Sequence, residues 1–222
     1  MSLITVNGLL IGYKTPLSEK INFSIERGDC LLIKGRNGSG KSTLIKTLLG
    51  LQSSKEGNIT YDKSIKDLGI AYLSQESLID KNFPITVEEL LLSAMAVRGN
   101  AFFTLKSKYR DEIKDISNRL GLEMIMKMNI NDLSLGQRQR VLFARALVLD
   151  SKLLILDELT ANMDKESRAF VWRELREIVQ CGDKAVIVVS HDADFDLTLP
   201  NKCLEFNDDL SVCFYDCKVG RE

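Results

Sequence analysis

A short apolar run, Cys30-Leu31-Leu32-Ile33, leads into Gly35-Arg36-Asn37-Gly38-Ser39-Gly40-Lys41-Ser42, and Thr43-Leu44-Ile45-Lys46-Thr47-Leu48-Leu49 follows before Gly50. An unbroken apolar run suits a strand buried on both faces of a parallel sheet. The segment after the glycines reads as a helix stopped by Gly50. A chain that passes from buried strand to helix through such a loop points to a parallel α/β layout. The spacing G-x-x-x-x-G-K-S also has a mechanical reason. Glycines let the loop curl until successive backbone N–H groups point inward, which makes a cradle for phosphates. Lys41 brings positive charge to the terminal phosphates and Ser42 offers a hydroxyl to Mg²⁺. The helix that follows presents its positive dipole end to the same anion.

Further buried strands are expected at Ile70-Ala71-Tyr72-Leu73, Leu153 to Leu156 and Ala185 to Val189. Upstream, Leu3 to Val6, Asn7-Gly8, Leu9 to Ile11 and Ile21 to Ile25 alternate apolar runs with turn residues, the pattern of a small antiparallel sheet. Between Ser77 and Leu149 the pattern becomes helical: Val87 to Leu92 and Ile113 to Leu120 repeat near the helical period. Asp164 to Gln180 is amphipathic, with Val171, Leu175, Ile178 and Val179 on one side and Gly182 just past its end. No internal repeat or low-complexity linker interrupts the chain. One domain over 1–222 is expected, with an α/β core and β-subdomain in 1–76 and 150–222 and a helical insertion at 77–149.

With 222 residues, 45% of them hydrophobic, the chain can bury the core of one domain. Its 30 basic and 31 acidic residues leave a net charge of -1. No global basic field recruits nucleic acid or an anionic membrane, and no nucleic-acid partner is expected. No apolar stretch approaches the roughly 20 residues that cross a bilayer. Met1 to Thr5 lack a charged region followed by an apolar core, so a secretory leader is not expected. The scattered, odd set of Cys30, Cys181, Cys203, Cys213 and Cys217 fits reduced thiols in a cytoplasmic protein. Cys213 alternates with apolar residues in Leu210 to Tyr215, as in a strand, and packing explains it and Cys217 better than zinc does.

Asp157 and Glu158 close the apolar run Leu153 to Leu156, an expensive place for adjacent acids unless something uses them. Asp157 would hold Mg²⁺ opposite Ser42, largely through water. Glu158 can orient or deprotonate an attacking water. A solvated strand-end pair is the alternative, and the phosphate cradle upstream argues against it. His191, the only histidine, follows the run Ala185 to Ser190. At the carboxyl end of a buried strand it sits where ligands bind, and its imidazole could hydrogen-bond a γ-phosphate.

Late in the chain, Leu133-Ser134-Leu135-Gly136-Gln137-Arg138-Gln139-Arg140 is followed by Lys152-Leu153-Leu154-Ile155-Leu156-Asp157-Glu158. With the cradle, these runs resemble the ATP-binding-cassette ATPases, the nucleotide-binding subunits of ABC transporters, over nearly the whole chain and in the family's motif order. The resemblance implies a P-loop NTPase core with a parallel sheet, an N-terminal antiparallel β-subdomain and an inserted α-helical subdomain. It implies ATP with Mg²⁺ as the nucleotide. Tyr13 matches the aromatic that stacks on adenine, and Gly35 through Thr43, including Asn37, Gly38, Ser39 and Gly40, match Walker A. Gln75 looks like the Q-loop glutamine that links the γ-phosphate and Mg²⁺ to the helical subdomain. Leu133 to Gln137 match the signature, Leu153 to Glu158 the Walker B strand with its catalytic glutamate, Glu158 to Asp164 the D-loop, and His191 the switch histidine.

By the same resemblance, Ser134 and Gly136 meet a γ-phosphate bound by a second subunit. Two copies, or this chain and another cassette, then pair head-to-tail around two ATP molecules. Hydrolysis reopens the pair, and a separate membrane permease uses the motion, which places the chain peripherally on the inner face of the cell membrane. Two positions depart from the pattern. Leu135 stands for the signature's first glycine and adds bulk that would slow closure, and Leu159 stands for the proline after the catalytic glutamate. Asp80-Lys81-Asn82-Phe83-Pro84-Ile85-Thr86-Val87 resembles the segment after the Q-loop in importers of zinc, manganese and related metal chelates. Export of peptides or drugs, a non-transport role and a silent partner in a heterodimer stay open at this point.

Overall fold

The computed structural model describes residues 2–74, 84–98, 106–159, 163–190 and 198–217. Its strands are β1 (Ser2–Leu10), β2 (Ile21–Glu26), β3 (Cys30–Gly35), β4 (Glu56–Tyr61), β5 (Ile70–Leu73), β6 (Leu153–Asp157), β7 (Ala185–Val189), β8 (Lys202–Phe206) and β9 (Val212–Asp216). Its α-helices are α1 (Lys41–Leu48), α2 (Lys63–Leu68), α3 (Val87–Arg98), α4 (Lys106–Arg119), α5 (Leu135–Val148) and α6 (Lys165–Cys181). A central sheet of order β5-β6-β7-β3-β8-β9 is parallel except for β9. A second, antiparallel sheet has the order β2-β1-β4.

Alternation along the central strands sends successive side chains to opposite layers. Leu32, Leu154, Leu156, Val186 and Val188 face the helices, in one buried cluster with Leu91, Val141, Phe143, Val171 and Leu175. Leu31, Ile33, Ile155, Ile187 and Val189 face the other way, onto Leu44, Ile45 and Leu48 of α1 and onto Leu3, Val6 and Ile25 of the antiparallel sheet. Burial on both faces is why 153–156 and 185–189 carry no polar residue. The sheet's carboxyl edge is therefore fixed from both sides, and it is this edge that carries Gly35 and Asp157.

At Asn7-Gly8 the sequence pattern predicts a turn, whereas β1 runs straight through. The register slips between Val6 and Leu9 against β2 and between Asn7 and Leu10 against β4, so the glycine forms a bulge. Gly8 has φ 58°, and its displaced N–H donates to Asn22 Oδ1 at 2.7 Å. Gly57 fits over it: a Cβ there would stand 2.3 Å from the Gly8 carbonyl oxygen.

The cysteines also differ from expectation. Cys203 and Cys217 form a disulfide, while Cys30, Cys181 and Cys213 are not disulfide-bonded. The cause is the antiparallel return of β9 beside β8. Cys217 N–H donates to the Asn201 carbonyl at 2.8 Å, which brings the Cα atoms of Cys203 and Cys217 to 5.9 Å, inside bonding range.

Candidate nucleotide-binding site

The loop between β3 and α1 needs its glycines for different reasons. Gly35, Gly38 and Gly40 have φ 141°, 80° and 107°, all in the region that L side chains avoid. Gly35 is also crowded, since a Cβ there would meet Phe206 Cβ and Ser39 Oγ at 2.8 Å. Asn37 and Gly38 are exposed at the tip, and the Ser39 N–H closes the turn onto the Arg36 carbonyl at 3.2 Å. Gly40 caps α1 without any side-chain bond, which leaves the helix's first N–H groups for an outside acceptor. Ser42 is exposed, while Thr43 is buried one residue further on.

Lys41 is only 6% exposed, and its Nζ donates to the Gly35 and Arg36 carbonyls at 2.8 Å each. Burial lowers its pKa, opposed by the charges of Glu158 and Asp157, so both carboxylates act on the loop's ammonium. Ser39 Oγ is buried and has no hydrogen-bond partner among the described residues. A buried hydroxyl with no partner and an ammonium folded onto loop carbonyls fit a phosphate chain that would supply acceptors to both.

Asp157 ends β6, is 8% exposed and accepts from the Tyr72 hydroxyl at 3.3 Å. Burial and the neighbouring Asp157 carboxylate push the Tyr72 phenol up to about 12. A buried carboxylate at the end of β6 and an exposed serine hydroxyl at the start of α1 are oxygen donors of the kind a hard cation such as Mg²⁺ takes. Glu158 follows with φ 53°, its N–H held by the Val189 carbonyl at 3.0 Å. Leu159, in the place of the family's proline, is buried in the helical-side core cluster.

The Tyr13 ring is 65% exposed. Its loop is tied to the cradle through flanking residues, because a Cβ on Gly40 would lie 3.3 Å from Ile11 Cδ1 and 3.4 Å from Leu17 Cβ. At the signature, Ser134 caps α5. Its Oγ accepts from the Gln137 N–H at 3.2 Å, and Gln137 Oε1 accepts from the Ser134 N–H at 3.0 Å. Ser134 and Leu135 are exposed, Leu135 at 54%, whereas Gly136 is buried against Asp164. Gln75 and His191 lie outside the described residues, as does the run from Asp80 to Phe83.

Two contributors were not read from the sequence. The one signal that Tyr72 gives in the sequence is a phenol in an otherwise apolar strand. Phe206 packs beneath Gly35 from β8, a strand whose alternation with Lys202 and Glu205 was not recognised.

Residues 18–161 match the family described as ABC transporter. The chain is 34% identical to the high-affinity zinc uptake system ATP-binding protein ZnuC of Bacillus subtilis, over 86% of this chain and 85% of that protein. It is also 34% identical to the manganese transport system ATP-binding protein MntB of Listeria monocytogenes, over 96% and 93% respectively. Among solved structures, an inward-facing conformation of a putative metal-chelate type ABC transporter superposes with a TM-score of 0.83 at 28% identity, covering 98% of this chain and 84% of that one. With the cradle, the acidic strand end and the capped signature helix on one scaffold, the chain belongs to the ABC transporter family, as an ATP-binding subunit that hydrolyses ATP to energise a separate permease.

Proposed function

We propose that this chain powers uptake of a divalent metal such as zinc or manganese, hydrolysing ATP in sites shared between two cassettes. The observation that carries the site assignment is that Asp157 and Glu158 both act on Lys41 at the carboxyl edge of the sheet. Lys41 releases the loop carbonyls and donates to the β- and γ-phosphates, while the amides of Gly38, Ser39 and Gly40 and the start of α1 surround them. Ser42 and Asp157 would hold Mg²⁺, and the family resemblance assigns Gln75 to the same ion; when bound, the ion would neutralise charge on the phosphate oxygens. Glu158 orients a water and takes its proton as the water oxygen bonds to the γ-phosphorus and the bond to the bridging oxygen breaks. His191 hydrogen-bonds the γ-phosphate, and Tyr13 stacks on adenine.

Ser134 can still donate its hydroxyl hydrogen, since its cap role uses only an acceptor lone pair. We place it on the γ-phosphate of a partner subunit, with Gly136 and Gln137 shaping the turn. No helix among the described residues is long and apolar enough to cross a membrane. We place the chain on the inner face of a separate permease, as the relatives named as ATP-binding proteins of transport systems suggest. The helical insertion offers a groove of about 530 Å³ lined by Leu92, Ile113, Ser117 and Met126, with Met124 on its rim 93% exposed. An amphipathic permease segment fits that mixture of apolar floor and charged rim. The metal assignment rests on relatives named for zinc and manganese transport.

Glu158→Gln tests the catalytic part: it should bind ATP, stop hydrolysing it, and accumulate dimers by light scattering. Brisk turnover by that variant removes Glu158 as the base. For the cargo, vesicles carrying this chain with its co-purifying permease should take up Zn²⁺ or Mn²⁺ in the presence of ATP. Uptake of neither, or outward movement of a peptide, overturns the metal reading.

A further inference from the structure

We propose that Gly136 and Arg140 are positioning residues that lock the signature turn to the start of α6, so that the two move as one body; this rests on the ATPase reading above. Gly136 does not have a positive φ, so backbone conformation does not demand glycine there. Close approach does: a Cβ would stand 2.6 Å from Asp164 Oδ2 and 3.2 Å from Ser167 Oγ. The carboxylate has little freedom to yield. Its Oδ1 accepts the Ser167 N–H at 2.8 Å and its Oδ2 the Ser167 hydroxyl at 2.7 Å.

Arg140 lies one helical turn further along the same face of α5. It is 9% exposed, its guanidinium carbon stands 5.1 Å from the Phe170 ring centroid, and its Nη1 donates to the Leu120 carbonyl at 3.3 Å. Arg173 stands 5.0 Å from the same ring and donates to the Arg119 carbonyl at 2.7 Å. The ring itself fills the space over Gly121, where a Cβ would come within 2.8 Å of it. Helix α6 thus grips the signature helix at its first turn and the end of α4 at its middle. Asp164 follows Glu158 by six residues in the sequence, and Ser134 belongs to the same turn as Gly136. With Ser134 serving a partner's nucleotide and Glu158 the chain's own, the contact between Gly136 and Asp164 connects the two sites through one polypeptide.

A double-mutant cycle decides this. Asp164→Ser keeps an oxygen to accept the Ser167 N–H while removing the one that a Cβ at position 136 would strike. Gly136→Ala in the otherwise unchanged chain should lower kcat about tenfold with KM for ATP within about twofold. In the Asp164→Ser background the same change should cost at least about threefold less than in the unchanged chain, since any penalty at the nucleotide contact is common to both backgrounds. Equal penalties in both backgrounds, or no penalty in either, overturn the proposal. The cycle is also read as the thermal midpoint of nucleotide-free protein. A chain that does not hydrolyse ATP but still shows the coupled midpoints refutes the ATPase reading and leaves the joint standing. Should Gly136→Ala fail to fold, Arg140→Lys replaces it, and kcat should drop about fivefold at unchanged KM. A lowered midpoint with unchanged kcat would assign Arg140 to packing alone and sink the idea.

Discussion

Glu158 holds its backbone at φ 53°, a conformation that costs a glutamate about 1 kcal/mol and that asparagine tolerates far better. At the base proposed above, such strain trades stability for geometry. Glu158→Asn should therefore raise the thermal midpoint by about 2–4 °C while lowering ATPase activity at least about a hundredfold. A lower midpoint by calorimetry would contradict the strain argument. Tyr72 supplies a pH signature. Its phenol titrates near 12 in the fold, above the ordinary 10, so its contribution is complete below pH 10 and lost as pH rises toward 12. Tyr72→Phe should flatten stability across that window in urea melts, and an unchanged slope would rule the pair out. At this scale the sequence was informative where chemistry demands a fixed spacing, as at Gly35 to Ser42 and at Asp157-Glu158. It was silent on Tyr72, because only the pairing of β5 with β6 brings a phenol from one strand beside a carboxylate from the next.

Helices with explicit ends were readable as elements. Asp164 and Gly182 bracket α6 as expected, the first accepting from Ser167 N–H and the second adopting φ 71°. The signature's capping box is also a local pattern, and Ser134→Ala should cost about 1 kcal/mol in chemical denaturation, because the bond from the Gln137 N–H to the serine Oγ is lost. No change in the denaturation midpoint would mean that the turn is held by packing alone. Strands β4 and β8 were not anticipated. Glu56 to Tyr61 is a largely exposed edge with no apolar run to betray it, and Lys202 is polar because its ammonium pairs with Asp29 at 2.7 Å. The bulge at Gly8 looked like a turn for a related reason, since Asn-Gly serves both and only the neighbouring strands decide.

For the whole molecule, the least legible feature was the covalent one. Nothing in the spacing of five cysteines selects Cys203 with Cys217; the antiparallel return of β9 selects them. Thiol titration of the denatured, unreduced chain should find Cys30, Cys181 and Cys213 reactive, with Cys203 and Cys217 joining only after reductant. Opening a bridge between residues 14 apart should cost about 3 kcal/mol of stability by the loop-entropy argument. Five reactive thiols without reductant would refute the pairing. The layering, by contrast, was implied by the apolar runs, since strands that hide both faces require cover on each side.

The two bonds that Lys41 makes to its own loop have a bearing on which anions can enter. An incoming ligand must break both before it gains anything, so a small ion offering few acceptors is left near balance. A polyphosphate offers many oxygens at once and recovers the loss several times over. At the nucleotide site proposed above, the folded-back ammonium would therefore favour a polyphosphate over ions that offer few acceptors.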